Sequence, residues 1–181
     1  MSTDDKKQDF HDGIFALRTR RFGKIAEIMI KRLYGFSYSR VQNYDLFDSQ
    51  LNERIEVKFS TVQRACPRIN ELNAVSECIY ATISHRVIAS DMVSTCEFDC
   101  NIQQIKCREF DVLYYGLFFL DQIQIYRMTS QQVLNAPGYS NKQHRGNVGE
   151  GQFHINNETF VKHQAHLVRR LSYDELYDLL K

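Results

Sequence analysis

Three side chains in one neighbourhood of the chain have the types that hydrolysis of a phosphate ester needs: Asp45, Glu56 and Lys58. Glu56 and Lys58 lie two residues apart in "RIEVKFS", Arg54 to Ser60. Side chains alternate across a strand, so Ile55, Val57 and Phe59 can cover a core while Glu56, Lys58 and Ser60 share the opposite face. The preceding run, "NYDLF", is also β-prone and is separated from the first by "DSQLNE", so the two read as a hairpin. With the turn centred on Gln50 and Leu51, residues whose numbers sum to 101 face one another, which sets Asp45 opposite Glu56. Cross-strand partners have Cβ atoms on the order of 5 Å apart. A register slip of one residue would remove the match. Asp48 is a rival for the first acid, but the hairpin geometry favours Asp45.

Two carboxylates so placed can grip one small divalent cation. Mg2+ takes hard oxygen ligands and keeps several waters, so two acids and a backbone carbonyl make a sufficient seat. The cation would offset the repulsion between the acids, lower the pKa of a bound water, polarise the scissile phosphate and stabilise the leaving oxygen. A neighbouring ammonium can orient the nucleophile or neutralise the crowded phosphorus. A Glu-x-Lys run alone reads equally well as a solvated strand edge with an ion pair. The facing aspartate, the buried alternate face and a polar loop downstream set this one apart.

Asp45, followed after ten intervening residues by Glu56-Val57-Lys58, with a helix before and a helix after, resembles the PD-(D/E)xK nuclease superfamily and most of all its small type II restriction endonucleases. The resemblance spans about residues 20–127 in element order. It implies an α/β (α+β) fold, a central mixed β-sheet flanked by helices. It also implies Mg2+ held by Asp45, Glu56 and the carbonyl of Val57, with Lys58 as the catalytic lysine. The substrate implied is double-stranded DNA, cut at a specific sequence by a homodimer through in-line attack of a metal-activated water. The setting implied is cytoplasmic and prokaryotic. Tyr44 stands where many members carry proline. A structure-selective or repair nuclease of the same fold, or a non-catalytic DNA-binding protein on this scaffold, are the alternative readings.

Other residues have suitable chemistry. Glu27, on a helix, is a further metal-ligand candidate, though a solvated helix flank explains it as well. Gln63, Arg64 and Arg68 follow the "RIEVKFS" strand where a helix is expected to begin, a place that favours anions. Asn101, Gln103 and Gln104 can hydrogen-bond adenine edges or serve as polar positions on a half-exposed strand. Tyr139, Asn141, Lys142, Gln143, His144, Arg145 and Asn147 mix base-reading and phosphate-binding chemistries in a glycine-rich stretch, so residues 136–152 are a candidate DNA-recognition loop. His163 and His166, three apart, read as surface histidines.

The elements that must position these groups follow from pattern. At 181 residues the chain is most simply one domain, residues 1–181, with a polar first dozen expected to be loosely held. Apolar residues at helical spacing mark a helix over about 21–33. Residues 65–85 favour another, with Pro67 in its first turn. "CEFDCNIQQIK" reads as a strand, and "DVLYYGLFFLDQIQIYRM" as two strands about a turn at Leu120 and Asp121, the first apolar enough to be central. Residues 135–156 show no periodicity, and the chain is expected to end in helices, the last capped by Ser172 and Glu175. A net charge of +1 supplies no general attraction to phosphate. No apolar run is long enough for a bilayer, so no membrane is expected. Five cysteines without paired CxxC units indicate reduced thiols rather than zinc.

Overall fold

Phe22, Ala26, Met29 and Ile30 recur at helical spacing, and in the computed structural model, which describes residues 2–142 and 149–181, they form the buried stripe of α2 (Thr19–Tyr34). Gly35 ends that helix with a φ of 74°, the left-handed conformation that glycine adopts without a side-chain clash. Ahead of it, α1 (Thr3–Ala16) replaces the loose start expected from composition. Ser2 and Asp5 cap it reciprocally, and Phe10, Ile14 and Phe15 dock it on the core.

The hairpin region supplies β1 (Ser37–Tyr38), β2 (Leu46–Asp48), β3 (Glu53–Thr61) and β4 (Gln63–Arg64). The single helix expected over residues 65–85 is absent; that stretch holds only α3 (Ala74–Ile79) and α4 (Ile83–Arg86). Asn70 and Asn73 explain the loss. Asn70 Oδ1 accepts from the Leu72 N–H at 2.9 Å and Asn73 Oδ1 from the Asn70 N–H at 2.7 Å, local bonds that compete with a helix. Ile69, Leu72 and Val75 remain exposed, so no packing face makes up the difference.

Then come β5 (Phe98–Ile105), β6 (Val112–Phe118) and β7 (Ile123–Thr129), where the sequence pattern puts strands, followed by α5 (Ser130–Leu134). Within the stretch expected to lack periodicity lie β8 (Tyr139–Ser140) and β9 (Gly151–Asn156). The chain ends α6 (Phe160–His163), β10 (Leu167–Leu171), α7 (Tyr173–Leu180), so a strand interrupts the expected terminal helices. Ser172 and Glu175 form the anticipated cap on α7, with Leu171 and Leu176 buried beside it.

The mixed six-stranded sheet has the order β1-β2-β3-β6-β7-β10, in which only β3 and β6 pair in parallel. Helices α1, α2 and α7 cover one face. An antiparallel sheet, β4-β5-β9-β8, covers the other, in addition to the helix-flanked sheet expected. Two cores result. Val112, Tyr114 and Phe118 of β6 point to the helices, while Leu113, Tyr115 and Leu117 point to the second sheet, which is why that strand is apolar throughout. Gly116 interrupts the row because the Phe59 ring lies where its Cβ would be.

His163 corrects the sequence reading, for it is buried between the sheets rather than on the surface. Its Nε2–H donates to the Pro137 carbonyl at 3.3 Å and its Nδ1 accepts from the Tyr115 hydroxyl at 2.9 Å. Burial pushes its pKa down to about 4, so it is neutral in this seat. The five cysteines are free, Cys100 inside β5 and Cys96 just before it. Among the described residues no helix is long and apolar enough to cross a membrane.

Candidate active site

Residues 49–52 join β2 to β3, and the pairs Leu46–Ile55, Phe47–Arg54 and Asp48–Glu53 keep facing numbers at a sum of 101. The turn itself uses Asp48, whose Oδ1 accepts from the N–H groups of Gln50 and Leu51 at 2.8 and 3.2 Å. That bonding engages the rival acid in the turn. Asp45 sits one residue before β2. Its N–H donates to the Ile55 carbonyl at 3.1 Å, and its Oδ2 accepts from the Val57 N–H at 2.9 Å. A carboxylate therefore continues the ladder where the strand stops. In an antiparallel pair one residue turns both its N–H and its C=O to the same side, so the Val57 carbonyl also points toward the edge where Asp45 lies.

Glu56 and Lys58 use the other face of β3, beside Leu113 and Tyr115 of β6. The second sheet largely covers this face, and Glu56 is only 8% exposed. Lys58 Nζ lies 2.5 Å from Glu56 Oε1. Burial pushes the Glu56 carboxyl up to about 7; the charges of Asp45 and Glu109 add to the rise, and Lys58 opposes it. Burial acts to lower the pKa of Lys58, but Glu56, Asp45 and Glu27 together hold it above the ordinary lysine value. At neutral pH the lysine is charged and Glu56 is poised between its two forms.

No protein-family model matches this chain, and no curated protein matches it. The chemistry of the site carries the functional reading.

Asp45 and the Val57 backbone thus meet at the edge where β2 stops, and Glu56 and Lys58 lie on the adjoining face of β3, near enough for the charge of Asp45 to act on both. Among the described residues no group of three or more His, Cys, Asp or Glu side chains is close enough to hold a metal. The donors present are two carboxylates and a strand-edge carbonyl, a set that fits Mg2+ with its retained waters and lacks the nitrogen and sulfur ligands zinc takes. Glu27 stands at the margin. It is paired with Lys24 at 2.5 Å, and the Lys24 ammonium lies 4.3 Å from the centre of the Tyr38 ring. Sequence reasoning missed Lys24, which feels the charge of Asp45, and Glu109, whose charge acts on Glu56. Lys24 is three residues from Glu27 on the same helix face and was open to inspection. Glu109 gave no signal, because only the pairing of β3 with β6 brings its turn to the site.

The nucleic-acid candidates divide. Gln63 is in β4 opposite Asp99, and its Nε2 donates to Thr61 Oγ1 at 2.8 Å. Arg64 lies 5.1 Å from the Tyr80 ring, and Arg68 is in irregular chain, so the helix entrance expected around them does not exist. Asn101 and Gln103 are on β5 and face outward from the second sheet. Tyr139 packs inward, its hydroxyl 3.9 Å from Cys107 Sγ. Asn141 and Lys142 are exposed just beyond β8. Gln143, His144, Arg145 and Asn147 lie outside the described residues.

Proposed function

We propose that the protein is a Mg2+-dependent endonuclease that hydrolyses phosphodiester bonds of double-stranded DNA at specific sites. One observation carries the reading: Asp45 accepts from the Val57 N–H at the edge where β2 ends and β3 continues, and its charge acts on Glu56, against which the charged Lys58 lies. Mg2+ bound there would polarise the phosphate and lower the pKa of a water. Asp45 and Glu56 would hold it, and a Glu56 engaged with a cation no longer needs Lys58 as its counter-charge. The lysine ammonium is then available to the attacking water or to the phosphate oxygens. Glu56 must be ionised for this, and its position near neutrality means that cation binding drives a proton off. Incubation with plasmid and bacteriophage DNA, with Mg2+ or with EDTA, tests the reading. Discrete fragments that require Mg2+ are the expected result; smears or nicks point to a structure-directed or nonspecific nuclease, and intact DNA overturns the catalytic reading.

A single site of this kind cuts one strand, so cutting both in one encounter calls for two copies related by two-fold symmetry. Light scattering should give a homodimer, free or on cognate duplex. A monomer in both states would count against paired cutting.

A further inference from the structure

The second sheet turns an unusual face to the outside. On β5 the buried residues are Phe98, Cys100, Ile102 and, past a bulge, Ile105, so Asp99, Asn101 and Gln103 point away from the core. Their neighbours on the same face follow from the register, in which Asn101 is opposite His154 on β9 and Ser140 of β8 is opposite Gln152. These six positions include no lysine or arginine, and their one ring is the His154 imidazole, held beside Asp99. A phosphate-binding face needs cations, and the charge these positions carry, on Asp99, is negative. A platform for single strands needs rings on which bases can stack.

Apart from Asp99, what this face offers is a dense set of neutral hydrogen-bonding groups. The amide of Asn101 donates to Gln152 Oε1 at 3.4 Å, and its own Oδ1 is buried without a hydrogen-bond partner among the described residues. His154 Nδ1 lies 3.2 Å from Asp99 Oδ1. Asn and Gln carry a donor and an acceptor side by side, the pattern that pairs with adenine edges, and an aspartate can accept from the amino group of cytosine. The base edges on a groove floor are likewise uncharged, whereas phosphates lie along its rim. Lys142, next in the chain after Asn141 beyond β8, flanks the face and is exposed.

The face also leads to the candidate site. Pairing of β5 with β9 breaks register between Ile102 and Ile105, and Gln104 has a φ of 60° there, a bulge of the kind that re-aims neighbouring side chains. Just past the bulge the chain reaches Glu109, whose charge is felt by Glu56.

We propose that the outward face of β5, β9 and β8 is a base-reading surface, with Asn101, Gln152 and His154 contacting base edges in the major groove of duplex DNA. This rests on the nuclease reading for its substrate, yet it can be tested without cleavage. Lys58→Met protein and the same protein carrying Asn101→Ala and Gln152→Ala are each used to select from a pool of randomised duplexes, with Ca2+ in place of Mg2+. The Lys58→Met protein should enrich a defined motif. The triple variant, once its melting curve shows it folded, should bind that motif at least about fivefold more weakly and accept substitutions at one or more base pairs. Its affinity for a random-sequence duplex should be unchanged, since phosphate contacts set that value. An identical motif and affinity in the two proteins would overturn the base-reading surface and leave the nuclease reading intact. Failure of the Lys58→Met protein to enrich any motif overturns sequence reading by this face, while cleavage by the parent protein is scored separately.

Discussion

Replacing Lys58 by methionine should lower single-turnover DNA cleavage about a hundredfold or more and leave duplex affinity nearly unchanged. The methionine keeps most of the aliphatic stem and removes only the ammonium, whose nitrogen lies 2.5 Å from Glu56. A charged group that stabilises the transition state typically contributes roughly 3 kcal/mol to the barrier. Affinity is spread over many phosphate contacts and does not depend on one half-buried lysine. Loss of the ammonium leaves Glu56 without its counter-charge, but that carboxyl can protonate, its pKa already being raised to about 7. Melting should therefore be compared at pH 6, where Glu56 is mostly neutral. Val57→Ala is the contrasting control. Its side chain is 6% exposed in the helix-side core, so its truncation should cost on the order of 1 to 3 kcal/mol of stability and leave chemistry per folded molecule largely intact. A folded Lys58→Met protein that cuts at the normal rate would mean that "RIEVKFS" is an amphipathic strand with an internal ion pair.

The second large effect is on stability against pH. Folding raises the Glu56 pKa from 4.5 to about 7, so the native state holds a proton that the unfolded chain releases. The cost of ionising Glu56 in its buried place is absent below about pH 4.5, grows through the interval and is complete above pH 7. Between pH 5 and pH 8 this amounts to roughly 2–3 kcal/mol. Glu56→Gln removes the titration while keeping the shape, and groups common to both proteins cancel in the comparison. Relative to the parent, Glu56→Gln should gain that amount on going from pH 5 to pH 8, which in a chain of this size is about 5–10 °C in melting temperature. Mg2+ should abolish most of the difference by stabilising the parent at the higher pH. Parallel pH profiles for the two proteins, without metal, would show that Glu56 titrates as an ordinary exposed carboxyl.

The site was more legible in the sequence than the frame around it. Alternation in "RIEVKFS" and the length of "DSQLNE" were enough to fix the register of β2 against β3, because a short hairpin is a local structure whose pairing depends on its own turn. The apolar run in β6 likewise announced a central strand. Failures occurred where distant packing or side-chain bonding decides. Asn70 and Asn73 broke a helix that propensity alone favoured. The alternation in "GQFHIN" was lost inside a glycine-rich stretch, so β9 went unread, and with it Gln152 and His154. Nothing near His163 in the sequence indicates that Tyr115 and Pro137 enclose it. The burial of Glu56 was equally hidden, since it depends on a sheet formed by residues 63–64, 98–105, 139–140 and 151–156.

β3 has two neighbours of opposite kind, and they become available on different timescales. Its antiparallel partner β2 is four residues away, a closure that takes microseconds, whereas its parallel partner β6 begins only at Val112, some fifty residues further on. Asp45 and Glu56 can therefore meet in water, in a hairpin that forms locally, before anything covers them. The electrostatic strain of the finished site enters only when the second sheet closes over Glu56, a step that needs the long-range contacts and comes late. Its pH dependence should accordingly appear in the rate of unfolding far more than in the rate of folding, with stopped-flow unfolding of the metal-free protein faster at pH 8 than at pH 5 and the refolding rate nearly level.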